Sequence, residues 1–135
     1  MILSLPTFTV LGAIGRQGRK VIECGAGSGL WLRIMEEYGL DAIGIDPIPR
    51  HSSVMLGSHR DLGQYSDRLL LAVWPPDGTD LKDWIKAHGG DWFAFCGSPG
   101  RVTLPTFEKG TGYYEDLSYG VGRTVCFSMG QLAAS

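Results

Sequence analysis

The chain has 135 residues, of which 44% are hydrophobic and 19% charged, with a formal net charge of −2. At roughly 100–200 residues per domain this makes one domain, residues 1–135, with enough apolar material for a core. Such a composition excludes a disordered chain, no apolar run approaches the ~20 residues of a membrane span, and no cluster of Lys and Arg forms a stripe for nucleic acid.

Residues 1–19 read as a short helix or strand followed by a loop, and the opening Met1–Leu5 carries no basic export signal. The run Val21–Cys24 predicts a strand ended by Gly25-Ala26-Gly27-Ser28-Gly29. A helix should follow over 29–38, with Trp31, Ile34, Met35 and Tyr38 on one face and Gly39 as its stop. Ala42–Ile45 predicts a second strand ending at Asp46, since Pro47 and Pro49 block continuation. A short third run, Ser53–Leu56, precedes the polar stretch 57–67.

Leu69–Val73 has the look of a buried strand, apolar on both faces and halted by Pro75-Pro76. Asp80 is placed to cap a helix running to His88, whose Leu81, Trp84, Ile85 and His88 share a face before Gly89-Gly90. Trp92–Cys96 predicts a fifth strand. Residues 97–112 read as a long loop, functional or mobile, and 113–118 as a brief segment before a last strand over 123–129. Strands alternating with helices in this way imply β-α-β units and a mostly parallel α/β sheet.

Chemistry concentrates at the first turn. Glycines admit backbone angles closed to other residues, and the helix N-terminus beyond them carries unsatisfied N–H groups. A dinucleotide fingerprint, G-x-G-x-x-G, needs a third glycine where this chain has Leu30, and its pyrophosphate would be repelled by Glu23. A ligand with a cationic amino group would instead favour Glu23. Cys24, Cys96 and Cys126 lie in or beside apolar runs, which implies buried thiols in a reducing compartment, the cytoplasm. His51, His59 and His88 stand apart, so no metal site is expected.

The stretch Val21–Gly29, an acidic residue followed by G-x-G-x-G, resembles the first motif of class I S-adenosylmethionine-dependent methyltransferases. The likeness spans about residues 20–96 and makes the chain similar to a compact or truncated member. It implies a Rossmann-like, doubly wound, mostly parallel sheet of about six strands with helices on both faces. It also implies S-adenosyl-L-methionine as cofactor, held by Glu23, Gly25, Ala26, Gly27, Gly29 and Asp46, with Asp61 near the adenine amino group. Asp46 would take the ribose hydroxyls, because a carboxylate accepts two hydrogen bonds from a diol. Trp74-Pro75-Pro76-Asp77 resembles the fourth motif, which borders the methyl-transfer centre.

Departures from the family shape the expectations. Amino-methylating members place Asp, Asn or Ser before Pro-Pro and an aromatic after it; here Trp74 comes first and Asp77 last. The family sheet commonly has seven strands ending in an antiparallel hairpin, and only one convincing strand follows Cys96 here. The expected activity is methyl transfer to an unidentified acceptor. The alternatives are a non-catalytic methyltransferase-like interaction or assembly subunit, and a different nucleotide-binding fold, for which Leu30 and Glu23 disfavour NAD(P). With little chain left to cover the donor, a homo-oligomer or partner subunit is expected to bury Phe8, Phe107, Tyr113 and Tyr114.

Overall fold

The computed structural model describes residues 6, 8–108, 113–119 and 123–133, the stretches 113–119 and 123–127 through their backbone. Three helices and seven strands are present among them: α1 (Phe8–Arg16), β1 (Val21–Cys24), α2 (Leu30–Glu37), β2 (Ala42–Asp46), β3 (Met55–Leu56), β4 (Leu69–Val73), α3 (Leu81–His88), β5 (Trp92–Gly97), β6 (Tyr113–Tyr119) and β7 (Arg123–Gln131). The seven strands form one sheet in the order β3-β2-β1-β4-β5-β7-β6. β1 to β5 run parallel, and β7 pairs antiparallel with both β5 and β6.

Period-two alternation along the central strands feeds two cores. Val21, Leu69, Leu71 and Ala94 pack with Val10, Leu11 and Ile14 of α1 and Trp31, Leu32 and Met35 of α2. Ile22, Leu70, Ala72, Phe93 and Phe95 pack instead with Leu62, with Leu81 of α3, and with the half-buried Tyr65, Trp84 and Ile85. A strand buried on both sides explains why Leu69–Val73 shows no polar residue. Gly44 in β2 allows α2 to approach, because a Cβ there would lie 2.6 Å from Leu32 and 2.7 Å from Ala26. Leu32, outside the face expected from sequence, is therefore a core residue, whereas Tyr38 is exposed.

Several expectations need correction. The sheet has seven strands, not about six, and the segment after the long loop is a full strand, β6, paired with β7 over Tyr113–Tyr119. Of the two readings of residues 1–19, the helix is the one present, over Phe8–Arg16, with Val10, Leu11, Ala13 and Ile14 buried. The polar stretch 57–67 contains a 3-10 segment, His59–Tyr65, whose Leu62 is fully buried. Inside the expected loop, Pro99–Arg101 forms a short 3-10 turn, and Thr103 bridges to Asp80. Backbone bonds from Gly78 to Arg101 and from Thr103 to Thr79 tie this part to the β4–α3 turn. It is pinned through Thr103.

Candidate functional site

β1 has β2 on one side and β4 on the other, so the chain's direction of winding changes at β1. Open α/β sheets bind ligands outside the carboxyl ends of the strands at such a switch point. A cavity of about 320 Å³ lies there, bordered by Cys24 and Gly25 after β1, Asp46 and Pro47 after β2, Ser58 and His59, Trp74 to Pro76 after β4, and Trp84 of α3. A larger hollow of about 740 Å³ lies between α3 and the end of β7, lined by Lys82, Ile85, Lys86, Pro105, Thr106, Leu132 and Ala133. It borders none of the chemistry-bearing turns, and its size alone assigns it no role.

The glycine turn is built by glycine's freedom: Gly25, Gly27 and Gly29 have φ of 79°, 55° and 73°, all left-handed. Gly29 is also the N-cap of α2, with no side-chain cap. The turn's own hydrogen bonds hold its shape. Gly25 and Ala26 both donate their N–H to the Ile45 carbonyl, Gly29 donates to Ala26, and Gly27 donates to Asp46 Oδ2 at 2.9 Å. The expected open access to these amides is therefore limited to the α2 end of the turn. Arg50 closes over it, its N–H donating to the Gly27 carbonyl and its guanidinium lying 2.7 Å from where a Gly27 Cβ would stand.

Asp46 holds two segments at once, since its Oδ1 accepts the Ile48 N–H at 2.8 Å. A carboxylate has about four lone-pair sites, so two stay available for a diol. Glu23, one strand over, is 3% exposed and its Oε1 has no hydrogen-bond partner. Burial, with Asp46 nearby as a second cause, pushes its carboxyl from 4.5 up to about 8. Leaving such a group unpaired costs ~1–3 kcal/mol. Cys24 lines the cavity as a neutral thiol, pushed up to about 12 chiefly by burial and further by Asp46 and Glu23.

The opposite wall is apolar and aromatic. His59 and Trp84 lie nearly parallel, 14° apart with centroids 6.3 Å from one another. Trp84 was expected on a helix face, and it does pack against the core; the signal that it also borders a cavity is its approach to Gly25, within 3.8 Å of a Cβ there. Ser58 and His59 border the cavity because the 3-10 segment folds back onto it, and Pro47, named above only as the stop of the second strand, because it follows Asp46. Trp74 has φ of 48°, which costs a non-glycine residue of order 1–3 kcal/mol, and its N–H donates to the Cys96 carbonyl at 2.8 Å. Its indole Nε1 is buried without a partner.

Of the expected site residues, Gly25, Asp46, Trp74, Pro75 and Pro76 border the cavity, and Glu23 lies buried on β1 with Asp46 close enough to shift it. Asp61 and Asp77 are engaged elsewhere. Asp61 Oδ2 accepts the Ser58 N–H at 2.9 Å in the capping box of the 3-10 segment. Asp77 pairs with Arg101 at 2.8 Å on the surface, its side chain 70% exposed. No known protein family matches the chain, and no curated protein matches it. Among the described residues no helix is long and apolar enough to cross a membrane.

Proposed function

We propose that this protein is an S-adenosylmethionine-dependent methyltransferase acting on an unidentified acceptor in the cytoplasm. The observation that carries the reading is the buried Glu23 carboxyl, its Oε1 without a partner, near Asp46 at the sheet's switch point. Two carboxyls placed together, neither in an ion pair among the described residues, suit a ligand that brings a positive charge and a diol. The seven-stranded sheet ending in an antiparallel hairpin adds support, since that is the common form of the family the sequence resembles and the departure expected on this point is absent.

The residues present fit the cofactor. Glu23, behind the cavity lining, would orient its amino group through the turn or a water, Asp46 would take its ribose hydroxyls through the two remaining lone pairs, and the flat walls of His59 and Trp84 its base. When bound, S-adenosylmethionine supplies a methyl carbon already activated by the sulfonium. The chain's part is then to orient and to exclude water, which Trp74, Pro75 and Pro76 do as an apolar wall.

Calorimetric titration with S-adenosylmethionine, S-adenosylhomocysteine, NAD and NADP tests the reading. Binding of the first two and not of the dinucleotides is expected; NAD binding, or no binding by any of the four, would overturn it. The second reading, a non-catalytic relative, draws on the surface pairing of Asp77, which leaves the fourth motif without a free carboxylate. Cofactor binding with no donor consumption in cell extract would favour that relative.

A further inference from the structure

We propose that the hollow of about 740 Å³ between α3 and the end of β7 is a second ligand site, and that it takes a small amphipathic anion, an apolar body with one anionic head, bound as a free molecule. The inference stands apart from the methyltransferase reading. With roughly 3.6 residues per helical turn, Lys82, Ile85 and Lys86 fall on one side of α3 and Trp84 on the other. The first three line the hollow, and Trp84 borders the switch-point cavity. The helix thus stands between two separate recesses.

The walls are built before any ligand arrives. Leu132 donates its N–H to the Asp91 carbonyl at 2.7 Å, and Ala133 donates to the Thr106 carbonyl at 3.1 Å. Phe107 pairs with Leu132 in an antiparallel bridge, so the end of β7 and the segment 105–107 are tied together. On the other side, the fully buried Leu81 and the Asp80 cap fix the start of α3. Ile85 and Leu132 pack against the core of Ile22 and Phe93, and Pro105 and Ala133 extend the apolar lining. A preformed, largely apolar recess with a few polar groups is what small-molecule sites share.

Charge decides the class of ligand. Lys82 and Lys86 are the only charged groups among the described residues that line the hollow, and neither is in an ion pair among those residues. Asp83, Asp91 and Glu108 are close in the chain but not part of the lining. The i, i+4 spacing sets two like charges side by side, an arrangement that disfavours a helix and that an anion between them relieves. Lysine stems lie along apolar surface while the ammonium stays in water, so an apolar body inside and a head at the rim match this recess. The chain's net charge is −2, so the attraction comes from these two lysines and not from the molecule's overall field.

The test titrates decanoate into the full chain and follows the Ile85 and Leu132 methyls by carbon–proton correlation, assigned by their loss in I85V and L132M. Acetate supplies the head alone and 1-decanol the body alone. Saturable shifts with decanoate, none with acetate, and binding of 1-decanol about tenfold weaker are expected. Both lysines are exposed, so K82Q/K86Q should fold normally, and its decanoate affinity should fall about tenfold with the loss of two solvent-exposed ion pairs. Methyls that ignore decanoate, 1-decanol that binds as tightly, or a double variant that binds decanoate unchanged would each overturn the inference. Shifts of the same methyls when the protein alone is concentrated would make a second copy the occupant, and would overturn it as well.

Discussion

Glu23 gives the molecule a pH dependence whose sign follows from its burial. Below about pH 4.5 the carboxyl is protonated whether the chain is folded or not; between there and about pH 8 only the unfolded chain releases the proton. Its contribution to stability is therefore full at low pH and is lost as pH rises to about 8, a loss on the order of a few kcal/mol. Glu23→Gln should flatten this part of the stability profile in urea unfolding at pH 5 and pH 8; an unchanged slope would contradict the assignment. A cationic ligand would draw the proton off, so binding near pH 7 should release close to one proton. Calorimetry in two buffers of different ionisation enthalpy reads this directly, and a buffer-independent heat would count against a cation at Glu23. Asp46→Ala should weaken S-adenosylhomocysteine roughly ten- to a hundredfold, through loss of charge-assisted hydrogen bonds. Because Asp46 also anchors Gly27 and Ile48, the variant should melt somewhat lower, and unchanged affinity would remove it from the ribose role.

The glycine turn shows how far an element can be read before it is seen. Its position, the strand before it and the helix after it follow from residues 21–39, where β-branched residues give way to glycines and then to a 3.6-residue apolar period. What could not be read is which neighbours close on it. A Gly27 Cβ would meet the Arg50 guanidinium at a backbone angle of φ 55°. Gly27→Val should thus keep the fold, at a cost of roughly 1–2 kcal/mol, while displacing Arg50 and distorting the ligand-facing turn. Loss of S-adenosylhomocysteine binding in the folded variant is the expected result, and normal binding would reduce the turn to a connector. Asp61 and Asp77 mislead for a related reason. A carboxylate at the right chain distance reads as a ligand, but a local cap and a cross-loop arginine are equally good partners and leave no periodic trace. The 3-10 turn Pro99–Arg101 is hard to place because a three-residue element carries too little pattern, whereas β4 declares itself by five apolar residues in a row.

At the scale of the whole molecule the question is what covers the site. Phe107, expected at an interface, is half-buried and packs on Phe93 with centroids 6.4 Å apart, so it belongs to this chain's own core. Tyr113 and Tyr114 have side chains outside the described residues. Phe8 is 82% exposed at the start of a helix whose Val10, Leu11, Ala13 and Ile14 are buried, and it remains the best candidate for a second copy to bury. Light scattering coupled to size exclusion should give a dimeric mass that Phe8→Asp reduces to a monomer. A monomer at micromolar concentrations that still transfers methyl groups would refute the assembly. The sheet order has a further consequence, for synthesis. Every residue that borders the switch-point cavity has left the ribosome once Trp84 has, but β5, with fully buried Phe93 and Phe95, gains its outer neighbour only with β7, some thirty residues later. Until then a long apolar edge stands open, the kind of surface on which nascent chains join one another. A chain stopped at Gly112 would hold the whole pocket and still be expected to precipitate, so the last strand acts for this protein as the step that makes the finished site usable.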